Sequence, residues 1–290
     1  MRIAAIQFDI AWEDKAANHA AIEGLLDKAG VAPGTFVLLP ELGDTGFSFN
    51  LEVIVDDRSL AWGRQVAQER SIILQVGHAE RGPDGRGRNC ATIIGPDGGM
   101  VGQYQKVHPF SYGREIEHFS GGDHLFIADL AFNAGKGAQA AQGEDVMRLG
   151  DTTRVCPLIC YDLRFPELWR IATCNGAEVF TIGASWPAAR QQHWRSLLIA
   201  RAIENQAYVV GVNRVGADPH LEYLGGSLVV SPTGEIVAEA GDYPAVLQAD
   251  LDIRTLRTWR ETFPALDDMR TELLGSLPLR KGAAETLPPC

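Results

Sequence analysis

The sequence lacks the features that mark membrane-spanning and secreted proteins. None of its 290 residues lies in an apolar run of about 18, the length of a transmembrane helix, so we expect no membrane span. The N-terminus enters a strand-like pattern at once and shows neither the apolar stretch nor the small-residue cleavage site of a signal peptide. There is no Asn-x-Ser/Thr sequon, and the number of cysteines, five, is odd. These absences predict free thiols in a reducing compartment, and therefore a cytoplasmic protein.

Positive charge is also scarce. Lys and Arg together number 26 against 37 Asp and Glu, which gives a net charge of −11 and a pI of about 5.1. An acidic chain of this kind is a poor partner for nucleic acids or anionic membranes, and we expect neither. No Cys-x-x-Cys pair or nearby histidine completes a zinc set with Cys156 and Cys160, so we expect no metal site. The Gly-x-Ser-x-Gly, His-Glu-x-x-His and phosphate-loop motifs are missing too, which argues against a serine hydrolase, a zinc protease or a nucleotide enzyme.

What the sequence does contain is the composition of a globular protein, with 46% hydrophobic and 22% charged residues. Strand-like and helix-like segments alternate along residues 1–270 without a linker or a short repeat. We therefore predict a single α/β domain over residues 1–270, followed by a C-terminal tail at residues 271–290.

The order of the segments indicates how the sheets are built. A strand at 3–8, a helix at 14–30 and a strand at 35–39 predict a parallel pair with a right-handed crossover. Turns that begin at Pro96 and Pro232 predict two hairpins, which make the sheets mixed. Further helices are predicted at 58–70, 166–175, 189–206 and 252–260, and further strands at 71–77, 89–94, 100–104, 154–160, 178–182, 207–212, 226–230, 236–240 and 245–251.

Two segments are predicted to be loops. Residues 105–123 form a polar loop, and residues 133–145 are biased toward Gly, Ala and Gln, which is typical of an extended surface loop or insertion.

An apolar run that ends at Cys160 is the segment around which the chain is organised. Residues 154–160 are typical of a buried strand, and the sequence then turns polar and reaches Pro166, a residue favoured at the first position of a helix. The thiol therefore stands at the end of a central strand, the edge of an α/β sheet at which ligands bind. Such a cysteine is either a nucleophile, if its neighbours favour the thiolate, or one more small buried hydrophobic residue.

Two charged residues stand at strand ends in the same way. Glu41 follows the strand at 35–39, and Lys106 follows the strand at 100–104. A carboxylate can take the proton of a thiol, and an ammonium group favours both the thiolate and an oxyanion formed later. Taken singly, Glu41 could instead start a helix and Lys106 could be an ordinary solvated charge. Together with Cys160 they predict a site on one rim of a sheet.

Three motifs in order give the chain a resemblance to the nitrilase superfamily of carbon–nitrogen hydrolases. They are Pro40-Glu41, the Tyr-Gln-Lys-Val-His-Pro-Phe segment around Lys106, and the Cys-Tyr-Asp-Leu-Arg-Phe-Pro-Glu-Leu segment that begins at Cys160. Residues 200–206 and 260–264 resemble the same family, so the resemblance spans nearly all of the predicted domain. It implies an α-β-β-α sandwich of four layers, whose members usually pair across two subunits. We therefore expect a homodimer or a higher homo-oligomer.

The resemblance also implies a role for each residue of the site. Glu41 is the expected general base, Lys106 the stabiliser of the oxyanion, and Cys160 the nucleophile that forms an acyl-thioester. Glu115 falls where members of the family carry a second glutamate that positions this triad, with Glu117 as the alternative two residues further on. The implied reaction needs neither a metal nor an organic cofactor.

The sequence after the nucleophile points to a substrate class. It resembles the amidases that act on monoamides of dicarboxylic acids, namely omega-amidase and the related deaminated glutathione amidase. The backbone N–H of Tyr161 is placed to stabilise the oxyanion, and Arg164 offers a planar cation suited to a carboxylate, unless it forms a structural salt bridge. We expect an amidase that releases ammonia from a small, carboxylate-bearing amide. An N-carbamoyl-amino-acid hydrolase or a nitrilase with the same triad, and a non-catalytic scaffold protein, are the alternatives.

Overall fold

Two mixed β-sheets that pack face to face occupy the centre of the protein. The structure is a computed structural model, which describes residues 1–132, 152–275, 277–281 and 285–287. The loop predicted at 133–145 therefore lies outside the described residues.

The described residues form strands and helices that are mixed along the whole chain. The strands are β1 (Arg2–Gln7), β2 (Phe36–Leu38), β3 (Ile73–Arg81), β4 (Gly87–Ile94), β5 (Met100–Gln105), β6 (Leu125–Ala131), β7 (Thr152–Ile159), β8 (Val179–Ala184), β9 (Tyr208–Asn213), β10 (Val215–Ala217), β11 (Glu222–Leu224), β12 (Leu228–Val230), β13 (Ile236–Glu239), β14 (Ala245–Asp250), β15 (Leu279–Lys281) and β16 (Glu285–Leu287). The helices are α1 (Lys15–Ala29), α2 (Leu51–Ile54), α3 (Arg58–Arg70), α4 (Glu115–His118), α5 (Pro166–Cys174), α6 (Gln191–Asn205) and α7 (Ile253–Thr262).

Each sheet combines three neighbouring parallel strands with antiparallel pairs. The first has the strand order β14-β1-β2-β3-β4-β5, in which β1, β2 and β3 are parallel, as the predicted crossover requires. The second has the order β13-β12-β9-β8-β7-β6-β15-β16, with β7, β8 and β9 parallel. The two predicted hairpins are present as the antiparallel pairs β4–β5 and β12–β13. Both sheets are therefore mixed, as predicted.

The helices cover the outer faces of the sheets. α1 and α3 pack on the first sheet, and α5 and α6 pack on the second, while β1, β4 and β5 meet β9, β7 and β6 across the centre. The contact is close enough that Gly102 of β5 leaves room for the ring of Phe126 of β6, which a Cβ would meet at 2.2 Å. The predicted α-β-β-α sandwich of four layers is confirmed.

Local sequence signals account for most element ends. The Asp14 side chain accepts from the N–H of Ala17 at the start of α1, and Gly30 ends that helix in the left-handed region at φ 59°. α3 begins and ends at the predicted residues. The helix predicted at 189–206 begins only at Gln191, because residues 188–190 form a 3-10 turn, which is itself important for the site below.

Several strands were not predicted. They include β6, which pairs with β7, and β15, which runs parallel to β6, so that part of the predicted tail adds to the second sheet. The predicted polar loop at 105–123 also contains the single turn of α4. Within the described part of the chain, no helix is both long enough and apolar enough to cross a membrane.

Candidate active site

The three strand-end residues singled out in the sequence meet between the two sheets. Glu41 follows β2, Lys106 follows β5 of the same sheet, and Cys160 follows β7 of the other sheet. The Lys106 Nζ donates to Glu41 Oε1 at 2.6 Å. The exposed fractions are 2% for Glu41, 1% for Lys106 and 8% for Cys160. A carboxylate, an ammonium group and a thiol thus share one buried site. The residues are those predicted, but the prediction of a site on the rim of one sheet is wrong, because Cys160 comes from the second sheet.

Two glycines allow the backbone before Glu41 to pass between the sheets. A Cβ on Gly77 of β3 would lie 2.2 Å from the carbonyl oxygen of Pro40, and one on Gly183 of β8 would lie 2.8 Å from that of Leu39. Neither distance is possible for a side chain, so only glycine fits at these positions. The close approach lets Ser185, just after β8, donate its backbone N–H to Glu41 Oε2 at 3.0 Å.

Glu115 completes a buried network with the pair. Its Oε2 accepts from Lys106 Nζ at 2.7 Å and from the Phe110 N–H at 2.6 Å. Asn89 of β4 bridges the two carboxylates, because its Nδ2 donates to Glu41 Oε1 and to Glu115 Oε1, each at 2.9 Å. Buried polar groups of this kind hold one another in fixed positions.

Glu117, the alternative to Glu115, is placed elsewhere. Its side chain is about half exposed (47%) and pairs with Arg114 at 2.7 Å on the surface of the same loop. The structure therefore brings Glu115, and not Glu117, to the site.

The charge of Lys106 is maintained by its neighbours. Burial by itself would lower the pKa of this ammonium group, but the carboxylates of Glu115 and Glu41 outweigh burial and raise the pKa above its ordinary value. Lys106 is therefore a fixed positive charge beside the thiol.

The surroundings of Cys160 keep its thiol protonated at rest. Burial and the Glu41 carboxylate raise its pKa well above the ordinary value, while Lys106 and the Ser185 N–H act in the opposite direction. Cys160 also lies in the left-handed region at φ 44°, in the first position of the 3-10 turn Cys160–Arg164. A non-glycine residue held there needs support from its surroundings, and such positions cluster at functional sites.

Asp162 supplies that support. One of its oxygens accepts from the Ile159 N–H at 3.1 Å and from the Tyr104 hydroxyl at 2.8 Å, and the other accepts from the His108 N–H at 3.1 Å. Asp162 is fully buried. Because Tyr104 and His108 flank Lys106 along the chain, Asp162 connects the turn that begins at Cys160 to the strand end that carries the lysine.

A cleft of about 400 Å³ opens above the thiol. Glu41, Lys106 and Cys160 lie at its base, and its walls include the aromatic rings of Phe47, Phe110, Tyr161, Trp186 and Tyr223. An apolar wall with a few polar groups is typical of a small-molecule site. The ring of Tyr161 lies 4.9 Å from that of Phe110, so the residue after the nucleophile forms part of this wall.

Arg164 also lines the cleft. Its guanidinium carbon lies 4.8 Å from the ring centre of Trp186 and 6.0 Å from that of Tyr161, and Nη2 lies 3.3 Å from His193 Nδ1. It forms no ion pair with any acid in the described ranges, so the structural salt bridge that was the alternative is not found. Arg164 is thus a cation at the cleft with no carboxylate partner among the described residues.

Sequence reasoning did not identify several residues of the site. Asn89 was only the first residue of a predicted strand, although a polar side chain in a buried strand is an indication of function. Asp162 stood inside the nucleophile motif without a role. Ser185 and Arg190 come after the end of β8. A position after the end of a strand is the same signal that identified Glu41 and Lys106. As for metals, the described residues include no group of three or more His, Cys, Asp or Glu side chains that could hold an ion.

This sandwich and this site define a class, the hydrolases that act on carbon–nitrogen bonds other than peptide bonds. The family model for carbon-nitrogen hydrolases matches residues 2–261, and the chain belongs to that family.

Two curated relatives are similar over most of their length. The 2-oxoglutaramate amidase of Bacillus subtilis (strain 168) is 32% identical over 275 residues, which cover 93% of this chain and 98% of the relative. The omega-amidase YafV of Escherichia coli (strain K12) is 33% identical over 272 residues, or 92% and 96% of the two chains.

Among solved structures, XC1258 from Xanthomonas campestris, a CN-hydrolase superfamily protein with an arsenic adduct in the active site, matches with a TM-score of 0.80. It is 28% identical, with 93% of this chain and 97% of that chain covered. The chain is therefore a carbon–nitrogen hydrolase, and the two curated relatives are named as amidases.

Proposed function

We propose that the protein is an omega-amidase, which hydrolyses the terminal amide of a small carboxylate-bearing compound and releases ammonia. The observation that carries the proposal is the buried Glu41–Lys106 pair beside Cys160, at the base of a cleft whose cation Arg164 has no acid partner in the described residues. The names of the two curated relatives, a 2-oxoglutaramate amidase and an omega-amidase, support it.

In the first half of the proposed reaction, Glu41 takes the proton of the Cys160 thiol, and the sulfur attacks the amide carbon. The amide oxygen becomes an oxyanion, which Lys106 and the backbone N–H of Tyr161 stabilise. Glu41 then returns its proton to the nitrogen, the carbon–nitrogen bond breaks, and ammonia leaves. The raised pKa of Cys160 fits this order, because the thiol stays neutral until the base acts.

In the second half, water hydrolyses the thioester. Glu41 takes a proton from the water, the resulting hydroxide attacks the acyl carbon, and the sulfur leaves as the thiolate. The proton on Glu41 returns to Cys160, and the carboxylic acid is released. These steps use only side chains of this chain, and no metal or organic cofactor takes part. Glu115 and Asn89 are positioning residues, because they hold Lys106 and Glu41 in place.

Arg164 gives the proposed preference for acidic substrates. With a net charge of −11 the protein repels anions at long range, so a local cation is needed to bind them. A charge-assisted contact between a guanidinium and a carboxylate is worth about 1.5–3 kcal/mol, or roughly ten- to a hundred-fold in selectivity. We therefore propose that the far end of the substrate carries a carboxylate.

The test is a panel of amides with ammonia release as the readout. It contains 2-oxoglutaramate, glutamine, asparagine, deaminated glutathione, N-carbamoyl amino acids and simple nitriles, and 2-oxoglutaramate is expected to give the highest kcat/KM. Arg164→Lys keeps the charge but loses the planar fork, so it should weaken acidic substrates more than neutral ones. If both classes fall equally, Arg164 is structural and the preference for acids is wrong.

The other functions are outcomes of the same panel. A preference for nitriles or for N-carbamoyl compounds would identify a nitrilase or a carbamoylase, and a preference for deaminated glutathione would identify its amidase. A scaffold protein would release no ammonia, and its Cys160 would react with an electrophile no faster than a free thiol.

We also propose that two copies pair through the face formed by α5 and α6. Ile203 on α6 is a large apolar side chain that is 51% exposed on a single copy. Sedimentation at micromolar concentration is expected to show a species of about twice the 31.5 kDa of one chain, and Ile203→Asp should shift it toward the monomer. A species of 31.5 kDa alone would contradict the proposal.

The cytoplasm is the compartment that we propose. The four cysteines in the described residues are unpaired thiols, as expected where disulfides are kept reduced. Cell fractionation that recovers the protein outside the cytoplasm would contradict this placement.

A further inference from the structure

A second arginine faces the cleft from another part of the chain. Arg190 lies in the 3-10 turn Ala188–Arg190 directly before α6, and it lines the cleft together with Arg164. Its backbone is fixed, because its carbonyl accepts from the indole N–H of Trp186 at 2.8 Å and its N–H donates to Pro187 at 3.0 Å. These two hydrogen bonds fix the backbone position from which the Arg190 side chain extends.

The guanidinium group of Arg190 packs against aromatic rings and pairs with none of the acids that the structure describes. Its central carbon lies 5.5 Å from the ring centre of Phe110 and 6.0 Å from that of Tyr112. These are cation–π distances, which hold the group in place while leaving its N–H donors free for an acceptor. In the part of the chain that the structure describes, Arg190 forms no ion pair.

The acids of the cleft cannot serve as its partner. Glu41 is the one carboxylate among the described residues that line the cleft, and its oxygens already accept from Lys106, Asn89 and the Ser185 N–H. Among the described residues, the cleft therefore presents two guanidinium groups, from two elements, and no free carboxylate. One arginine can bind the carboxylate of a substrate. The N–H donors of the second arginine are then available for another acceptor on the substrate.

We infer that Arg190 is a second specificity-determining residue, which together with Arg164 selects amides whose far end carries a carboxylate next to an oxo group. This inference rests on the proposed amidase function and deepens it. A 2-oxo acid presents a carboxylate and a neighbouring carbonyl oxygen, and so offers acceptors to both arginines. A 2-amino acid presents an ammonium group instead, which is repelled by the two cations and finds no carboxylate in the cleft. The pocket thus separates 2-oxo acid amides from the corresponding amino acid amides.

Four amides of five carbons test this inference, because they differ only at the far end. Glutaramate has a methylene group at carbon 2, 2-oxoglutaramate an oxo group, and glutamine an ammonium group, while pentanamide lacks the carboxylate. The wild type should rank them with 2-oxoglutaramate first and glutamine below glutaramate. The ratio of kcat/KM between 2-oxoglutaramate and glutamine is expected to be at least about ten-fold.

Arg190→Gln should reduce kcat/KM for 2-oxoglutaramate by about ten- to a hundred-fold, reduce it less for glutaramate, and leave pentanamide within about two-fold. The penalty on glutamine relative to glutaramate should shrink, because one cation is gone. Arg195→Gln is the matched control. It lies on α6 five residues further along the chain and pairs with Glu239 on the surface, so it should leave the ranking unchanged.

Two kinds of outcome overturn the inference. One is an equal loss on all four amides, or no loss on 2-oxoglutaramate, in Arg190→Gln. The other needs no variant and so holds even if Arg190→Gln does not fold: a wild type that hydrolyses glutamine as well as 2-oxoglutaramate. Activity on glutaramate with a Cys160-dependent thioester would still support the amidase function in both cases. Absence of ammonia from every acidic amide would instead contradict the proposed function.

Discussion

At the scale of single residues, the site contains one group whose charge is held constant, Lys106, and one group whose proton has to move, Cys160. Lys106 is held as a cation by Glu115 and Glu41, whereas the Cys160 thiol is kept neutral by burial and by Glu41. The proton that has to move therefore lies between the thiol and Glu41, and Asn89 and Ser185 hold that carboxylate in position. In the proposed mechanism, Cys160 is therefore a nucleophile that is activated by the base Glu41 rather than by a low pKa.

Replacement of the nucleophile tests this arrangement. Cys160→Ala and Cys160→Ser should abolish ammonia release and leave the fold intact, because the acyl-enzyme cannot form or forms very slowly. Circular dichroism checks the fold, and an ammonia assay with 2-oxoglutaramate checks the activity. Cys156→Ala, four residues earlier on β7, is the control. It removes a thiol from the core and should cost only about 1 kcal/mol of stability. Full activity in Cys160→Ala would show that another group is the nucleophile.

Asp162→Asn should lower kcat by about a hundred-fold with little change in KM, because it loosens the Cys160 turn relative to Lys106 without contacting the cleft. Asn has only one acceptor oxygen for the donors that Asp162 binds with two. The rate at which iodoacetamide alkylates Cys160 should fall together with kcat. A loss of stability alone would not explain a slower alkylation.

Asp252→Asn, which changes a carboxylate at the start of α7 away from the cleft, is the control and should leave kcat unchanged. A kcat of Asp162→Asn near that of the wild type would show that Asp162 does not position the nucleophile.

At the scale of elements, α7 is fastened to the second sheet by arginine. Arg260 donates to the backbone carbonyls of Gln206 at 3.0 Å and of Ala177 at 2.7 Å, which precede β9 and β8. Arg257 of the same helix pairs with Glu178 at 2.6 Å. One planar guanidinium thus fixes the start of two central strands, and the opposite end of β8 leads into Ser185 and Trp186 of the cleft.

Arg260→Ala should therefore destabilise the protein by about 2–3 kcal/mol, because the backbone carbonyls of Gln206 and Ala177 lose a charged hydrogen-bond donor. Arg260→Lys should recover only part of this loss, because an ammonium group lacks the fork that reaches both carbonyls. Urea unfolding followed by fluorescence provides the free energies.

Arg254→Ala, at an exposed position of the same helix, should change the stability by less than about 0.5 kcal/mol. Equal effects of Arg260→Ala and Arg254→Ala would contradict the role given to Arg260.

At the scale of the whole molecule, the buried thiols make the stability sensitive to alkaline pH. Burial raises the pKa of Cys90, Cys156 and Cys160 above the ordinary value of 9.0. Above about pH 9 the unfolded chain releases these protons while the folded chain keeps them, so the unfolded state binds fewer protons. The stability that these thiols contribute is therefore complete below pH 9 and is lost as the pH rises further.

The free energy of unfolding should accordingly fall between pH 9 and 10, by up to about 1.4 kcal/mol per pH unit for each fully titrating thiol. Cys156→Ala removes one such group and should flatten this dependence. Urea unfolding at a series of pH values measures it, and the series below pH 8 is the internal control, where wild type and variant should run parallel. An unchanged slope above pH 9 in the variant would show that Cys156 does not contribute.

The sequence by itself determined the features that depend on neighbouring residues. Apolar periodicity and turn residues placed α3 and the two hairpins, and Gly30 ended α1 as predicted. Glu41, Lys106 and Cys160 were found because a polar residue directly after a buried strand is visible in a single sequence. These signals lie within short segments, so they can be recognised in a single sequence.

Only the tertiary structure decided which side chains meet. Asn89 reaches Glu41 from 48 positions away, and Ser185 reaches it from 144, distances over which no periodicity is informative. β6 is a strand because it pairs with β7 and β15, and β15 is a strand because it pairs with β6 and β16; neither short segment demands this by itself. The choice of Glu115 over Glu117, and the meeting of Arg164 and Arg190 at one cleft, likewise depend on how two sheets and their loops pack. A long-range contact has no local signature, since its energy is gained only when the whole sandwich has formed.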